Sequence, residues 1–291
     1  MSDARDKPVI GLIAGQGRLP VIVAHGMRER GYSIACVGLS GQYLPELPAL
    51  CDRFRTISPF RLGAWARTLR RFGAREAVMV GRVDKAALMH AKFRFVRFIP
   101  DVTTALVWYR RLRHDRRSPA ILAALAETLA AKGVPLIDST THIPEHLASP
   151  GVMTKRQPTT GEWEDVRFGW PILRELLRLD IGQAIAVREK DVVAVEAVEG
   201  TDRMIERAGV MCPRGGWTLL KGCRADHDRR ADVPTVGVET IRNVRAAGGT
   251  CIGLGVGEVI LVDRPAVLSL ADELGVSVVG VEPGDPGRPT G

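Results

Sequence analysis

Pro8–Leu39, PVIGLIAGQGRLPVIVAHGMRERGYSIACVGL, is the stretch whose reading decides the fold. It opens on an apolar run, Pro8–Gly15, that reads as a buried strand. Gly15-Gln16-Gly17 makes a tight turn. The run LPVIVAHGMRERG then has helical spacing, with Pro20 in its first turn. YSIACVGLS reads as a second strand. Strand, glycine turn, helix and strand make a βαβ unit. Tight glycine turns bring backbone N–H groups close to a phosphate at a helix N-terminus. The dinucleotide fingerprint is incomplete, because Pro20 stands where its third glycine would fall. No acidic residue ends the second strand either, which argues against a plain NAD site and an NAD-linked oxidoreductase. A purely structural turn is the other reading.

Downstream, Gly41–Pro48 reads as a loop, RFRTIS as a short strand, RLGAWARTLRRFG as a helix ending at Gly73, and EAVMVGRV as a strand. Residues 85–113 mix Phe93, Phe95, Phe98, Trp108 and Tyr109 with Arg94, Arg97, Arg110, Arg111 and Arg113. Two core helices with snorkelling arginines fit this pattern. So does an acyl-chain groove with a basic rim at an anionic membrane surface, and aromatic stacking on single-stranded nucleic acid is a third reading. Ser118-Pro119 opens a helix that runs to Gly133, and VPLID reads as a strand completing a doubly wound half. Residues 139–160 are rich in Ser, Thr and Pro and mark a boundary. Beyond it, PILRELLRL reads as a helix with Pro171 in its first turn. AIAVREKDVVAVEAVEG reads as two strands, and Thr201 or Asp202 as the cap of the next helix. TCIGLGVGEVILVD reads as strand, turn and strand, RPAVLSLADELG as a helix, and VSVVGVEP as a last strand. The expected class is α/β, with a Rossmann-like N-terminal domain (8–140) and a second α/β domain with a mixed sheet (145–283).

Hydrophobic residues form 45% of the 291, enough to build a core in each half. The net charge of +8 favours anionic partners without choosing among them. The five cysteines form no C-x-x-C pair and are odd in number, so free thiols in a reducing cytosol are expected, not a zinc site. The N-terminus lacks the apolar core of a signal peptide, and no run of ~18 apolar residues is present.

Lys221–Ile241, KGCRADHDRRADVPTVGVETI, places dense charge between a strand, WTLLK, and a helix, VGVETIRNVRAAG. Unpaired charge is costly to bury, so the insert is expected on a loop or a cleft wall. Asp226, Asp228 and Asp232 offer oxygen ligands to a hard cation such as Mg²⁺. Lys221, Arg224, Arg229 and Arg230 offer donors to phosphate. A merely solvated loop is the alternative.

Several pieces together carry a resemblance: IGLIAGQGRLP near the start, RLDIGQ (Arg178–Gln183), AVEAVEGTD (Ala194–Asp202) with Met204, Lys221, RADVPTVG (Arg230–Gly237), VDRPAV from Val262 and VGVEP from Val279. They resemble the LpxI-type UDP-2,3-diacylglucosamine pyrophosphatases. The resemblance covers nearly the whole chain. It implies hydrolysis of the diphosphate of UDP-2,3-diacylglucosamine to UMP and lipid X in lipid A biosynthesis, assisted by Mg²⁺, at a site expected between the two domains. Asp232, Lys221 and Arg230 would be catalytic, and Asp232 with Glu196 would hold the metal. Gly15, Gln16, Gly17, Arg82, Asp115, Gln183, Glu199, Gly200, Thr201 and Asp202 would contact substrate. Beyond substrate and product, the expected partners are an anionic membrane surface and a second copy in a homodimer, with no nucleic acid. The expected location is the cytoplasm, peripheral at the inner membrane. Two departures bear on this. Gly81-Arg82-Val83 stands where the family ends a strand with Gly-Asn-Val. Arg224-Ala225 and His227-Asp228 stand where it has Lys-Pro and a Gln with an acidic residue. They keep open a non-catalytic paralogue that binds lipid or nucleotide-sugar.

Overall fold

The computed structural model describes residues 7–83, 99–114, 118–224, 226–230, 233–282 and 284. Asp115, Asp232 and the aromatic residues Phe93, Phe95 and Phe98 lie outside them. Contacts divide the chain into two units, one of Met1–Ile143 with Asp228–Asp232, the other of Pro144–His227 with Val233–Gly291.

The first unit is built on a parallel four-stranded sheet. Its strands are β1 (Val9–Ala14), β2 (Ser33–Leu39), β3 (Arg53–Ile57) and β4 (Ala77–Val80), in the order β3-β2-β1-β4. β1 and β2 are buried almost throughout, so they read as continuous apolar runs and not as alternation. Successive side chains still point to opposite faces. Ile13, Ala35, Val37 and Leu39 join one core cluster with Trp65 and Leu69 of α2 (Leu62–Arg71) and Ala126 and Leu129 of α4 (Ser118–Ala131). α1 (Leu19–Glu29) packs against β1 and β2. VPLID does not become a full strand: Leu136 makes an isolated parallel bridge to Ala77, with the Ala77 N–H donating to the Pro135 carbonyl at 3.0 Å and the Ile137 N–H to the Ala77 carbonyl at 2.9 Å. The short α3 (Val102–Val107) runs on into a π-type turn over Trp108–Leu112. Asp101 caps it through the Thr104 N–H at 2.9 Å. The other oxygen of Asp101 takes the Ala64 N–H at 3.0 Å, so one carboxylate serves two helix N-termini.

The second unit carries a mixed sheet in the order β5-β12-β10-β8-β6-β7. β8 (Trp217–Lys221), β10 (Gly249–Gly255) and β12 (Ser277–Val281) run parallel to one another. β5 (Gly151–Val152), β6 (Ala184–Arg188) and β7 (Asp191–Val195) are antiparallel to their neighbours. One long helix, α5 (Thr160–Arg178), covers one face through Val166, Trp170, Leu173 and Leu177. α6 (Thr201–Met211), α7 (Val238–Ala246) and α8 (Arg264–Leu274) cover the other through residues such as Met204, Ile241, Val244 and Val267. β9 (Thr235–Val236) and β11 (Ile260–Leu261) pair in a separate parallel ribbon.

One local expectation is corrected here. Pro171 lies in the middle of α5, not in its first turn, because the helix starts at a capping box. Thr159 Oγ1 accepts the Glu162 N–H at 3.2 Å, and Glu162 accepts the Thr159 N–H at 2.7 Å. Another is borne out: AIAVREKDVVAVEAVEG does form two strands, β6 and β7, paired across a short charged turn. That turn has positive φ at both Glu189 (52°) and Lys190 (60°), the conformation a two-residue hairpin needs. Neither residue favours it. The Lys190 N–H donates at 2.8 Å to Asp165, whose carboxylate anchors the turn from α5.

Candidate functional site

In the first unit the order β3-β2-β1-β4 places a switch point between β1 and β4, where open parallel sheets bind their ligands. Two glycine turns cross at the ends of these strands. The Gly15 N–H donates to the Val80 carbonyl at 2.9 Å, and Gln16 and Arg82 exchange two backbone hydrogen bonds of 2.7 and 3.0 Å. A Cβ on Gly15 would lie 2.6 Å from the Arg82 carbonyl oxygen, and one on Gly81 2.7 Å from Gly15. The crossing therefore requires glycine on both sides. It brings Gly15, Gln16, Gly17 and Arg82 together ahead of α1, with Gln16 and Arg82 exposed.

In the second unit, three elements end on one buried polar cluster. Lys221 is the last residue of β8, Glu196 follows β7, and Thr201 is the first residue of α6. Lys221 Nζ donates to Thr201 Oγ1 at 2.9 Å, and Thr201 Oγ1 donates to Glu196 Oε2 at 3.0 Å. Lys221 is 6% and Glu196 8% exposed, so the start of the charged insert lies in the interior and not on a loop. Burial is affordable because the ammonium meets a hydroxyl and a nearby carboxylate. Burial pushes the Glu196 carboxyl above its ordinary value; the Lys221 charge, the Thr201 hydroxyl and a backbone N–H of Gln183 oppose the shift. Gln183 reaches that position because a Cβ at Gly182 would sit 2.0 Å from the Glu196 carbonyl oxygen. Gly200, with φ 85°, is the N-cap of α6, and no side chain caps the helix. Thr201 and Asp202 are thus not caps: the Thr201 hydroxyl is committed to the cluster, and Asp202 accepts from Asn243 of α7 at 3.1 Å. Glu199 turns away to the Ala197 N–H and the Arg207 guanidinium.

The root of the charged insert is held by residues that the sequence did not single out. Glu258, after β10, accepts from Arg174 Nη1 at 2.8 and 2.9 Å and from the Cys223 N–H at 3.0 Å. Arg174 also donates to the Cys223 carbonyl at 3.0 Å. Gly222 and Gly255 leave room for that carboxylate, since a Cβ on either would approach Glu258 Oε2 to 2.9 or 2.3 Å. These residues are 84 and 35 positions from their partners, and no local pattern announces them.

Further along the insert the charges pair among themselves. Arg224 binds Asp226 through 2.9 and 2.6 Å contacts, and Arg230 binds Asp228 at 2.7 and 2.6 Å. In the first unit, Arg229 pairs with Asp138 at 3.0 Å and donates to Thr140 at 2.7 Å, while its carbonyl accepts the Ser139 N–H at 3.0 Å. Among the described residues no three His, Cys, Asp or Glu side chains cluster as a metal site. The Glu196 carboxylate is already engaged by a hydroxyl and sits beside a cation. The described side chains do not by themselves fit Mg²⁺, which takes about six oxygen ligands.

α3 buries none of its residues. Val102 and Leu106, four residues apart on α3, are exposed on one side of the helix, Tyr109 is exposed on the π-type turn that continues it, and Arg110 and Arg113 are exposed beyond. No described helix is long and apolar enough to cross a membrane.

Fold and site define a protein of two α/β units, one with a glycine-rich crossing at its sheet switch point, the other with a buried Lys–Thr–Glu cluster at its strand ends. Residues 9–146 match the LpxI N-terminal domain, and residues 149–279 match the LpxI C-terminal domain. The chain is 30% identical over 286 residues to a Caulobacter vibrioides protein named UDP-2,3-diacylglucosamine pyrophosphatase LpxI, over 94% of this chain and 98% of that one. The chain belongs to the LpxI family. A solved structure, CobK precorrin-6A reductase, aligns over 97% of this chain and 90% of its own, at 12% identity and a TM-score of 0.29, too loose a likeness to bear on fold or chemistry.

Proposed function

We propose that the chain hydrolyses the diphosphate of UDP-2,3-diacylglucosamine, giving UMP and lipid X on the route to lipid A. The observation that carries this is the match along nearly the full length of both chains to a protein named for that activity. In the reaction, water adds across the P–O–P bridge: its oxygen joins one phosphorus, the bridging oxygen leaves with the other, and a proton is released. Two adjacent phosphates carry negative charge that cations must offset as the bond breaks. Lys221 and Arg230 are proposed for that task, and Asp232 for aligning the water. The Gly15–Gly17 turn with Arg82 is proposed to take phosphate oxygens through backbone N–H groups and a guanidinium. Magnesium dependence is proposed from the same need for charge neutralisation, and no step is assigned to the ion.

The substrate is an amphiphile, and the exposed apolar side of α3 with Arg110 and Arg113 suits an anionic lipid surface. The proposed function is tested by following release of UMP from UDP-2,3-diacylglucosamine by the purified protein, with and without EDTA. Tight substrate binding with no UMP released would instead identify a non-catalytic paralogue.

A further inference from the structure

We infer that Thr201 is the positioning residue for Lys221, an assignment that rests on the proposed phosphoanhydride hydrolysis. Three features of the chain set this up. Gly200 takes φ 85° and caps α6 through its backbone, which leaves the Thr201 side chain without a capping role. Thr201 is thereby placed at the first helical position, between the ends of β7 and β8. Its hydroxyl accepts from the Lys221 ammonium at 2.9 Å and donates to Glu196 at 3.0 Å.

The direction of this chain is fixed by chemistry. An ammonium carries only donors and a carboxylate only acceptors, while a hydroxyl has one proton to give. With Lys221 donating in, the Thr201 proton goes to Glu196. The hydroxyl is therefore a polarised bridge that holds the ammonium at one point and passes part of the carboxylate charge to it. A lysine on its own is a flexible cation with several rotatable bonds. Phosphoryl chemistry is served by a cation already in place, because reorganisation at the moment of reaction is what preorganised sites avoid. Glu196 in turn is held by the Gln183 backbone, brought close by Gly182. The assignment differs from a substrate contact: Thr201 acts through Lys221.

The test compares wild type with Thr201→Ser, which keeps the hydroxyl, Thr201→Val, which replaces it with a methyl of like size, and Thr201→Ala, which removes it without adding bulk. Two readouts run side by side on the full chain, with thermal unfolding as the check on folding. The first is competitive acetylation of lysines by acetic anhydride, with Lys221 quantified by peptide mass spectrometry. The second is steady-state turnover of UDP-2,3-diacylglucosamine. Lys221 should be protected in wild type and Thr201→Ser and label severalfold faster in the Val and Ala variants. The kcat should fall about tenfold or more in the Val and Ala variants with KM within about twofold, the signature of an interaction that matters in the transition state. Thr201→Ser should restore most of the rate. Equal Lys221 labelling in all folded variants overturns the inference. So does a Val or Ala variant that turns over at the wild-type kcat, or one that changes KM alone. Absence of turnover in wild type would sink the proposed function, and the labelling comparison would still decide whether Thr201 positions Lys221.

Discussion

Arg174→Met should destabilise the second unit by about 3 kcal/mol, a value that follows from what the guanidinium holds. Breaking one side of a buried ion pair costs roughly 3–5 kcal/mol, because the remaining charge stays buried without compensation. The Glu258 side chain, 11% exposed, would keep only the Cys223 N–H after losing both contacts at 2.8 and 2.9 Å. The Cys223 carbonyl would lose its 3.0 Å donor as well. Arg174 itself is 22% exposed, so water reaches part of the pair and the lower end of the range applies. Arg174→Met with Glu258→Gln together should recover about half the loss, since no uncompensated charge remains and contacting residues couple by roughly 0.5–3 kcal/mol. Urea unfolding followed by tryptophan fluorescence measures this, since Trp170 and Trp217 are buried in the second unit. The midpoint should fall while the slope with denaturant is unchanged. A single variant within about 0.5 kcal/mol of wild type, the range of ordinary surface substitutions, would refute the account of Glu258 as an anchored buried charge.

Asp232→Ala should lower turnover on the order of 10²-fold or more while leaving the unfolding midpoint near wild type, and comparable turnover at saturating Mg²⁺ would remove Asp232 from the mechanism. EDTA should abolish turnover and added Mg²⁺ restore it; full activity in EDTA would end the proposed metal dependence. Val102→Asp with Leu106→Asp should reduce co-sedimentation with vesicles of anionic lipid, and salt should weaken wild-type binding through screening; unchanged binding would exclude this side of α3. His142 is buried with neither ring nitrogen hydrogen-bonded and stands edge-on to Tyr32, with ring centroids 5.0 Å apart. Burial, then the Arg30 charge, holds its pKa below the ordinary histidine value of 6.5. Below that pH the unfolded chain binds a proton that the folded one refuses, so stability drops as pH falls from 6.5 toward the lowered pKa. His142→Phe should therefore raise the melting temperature more at pH 5.5 than at pH 8, both chosen about one pH unit or more from the reference value; equal shifts at both would refute this.

The opening βαβ unit was legible because each element is announced within a few residues: apolar runs, the glycine turn and Pro20 at the helix start. α7, α8, β8 and β12 were legible for the same reason, as local periodicity survives whatever the chain packs against. The capping box of α5 was also written locally, in Thr159 and Glu162, and the pull of Pro171 as a start signal masked it. Among site residues, Lys221, Glu196 and Thr201 were picked out through resemblance, but not what they do for one another. Thr201 looked like a helix cap, since threonine before an acidic residue usually is one. Only the three-dimensional arrangement shows its hydroxyl spent on Lys221 and Glu196, because β8 brings Lys221 back, from twenty residues along the chain, to the β7–α6 junction. Lys221 looked exposed because charge alone predicts exposure; a buried partner reverses that, and partners are a property of the fold. Arg174 and Glu258 had no sequence signal at all: their contact spans 84 residues. Local energetics thus wrote the elements into the sequence, while the pairing of buried charges, which depends on distance in space and not along the chain, was decided by tertiary structure.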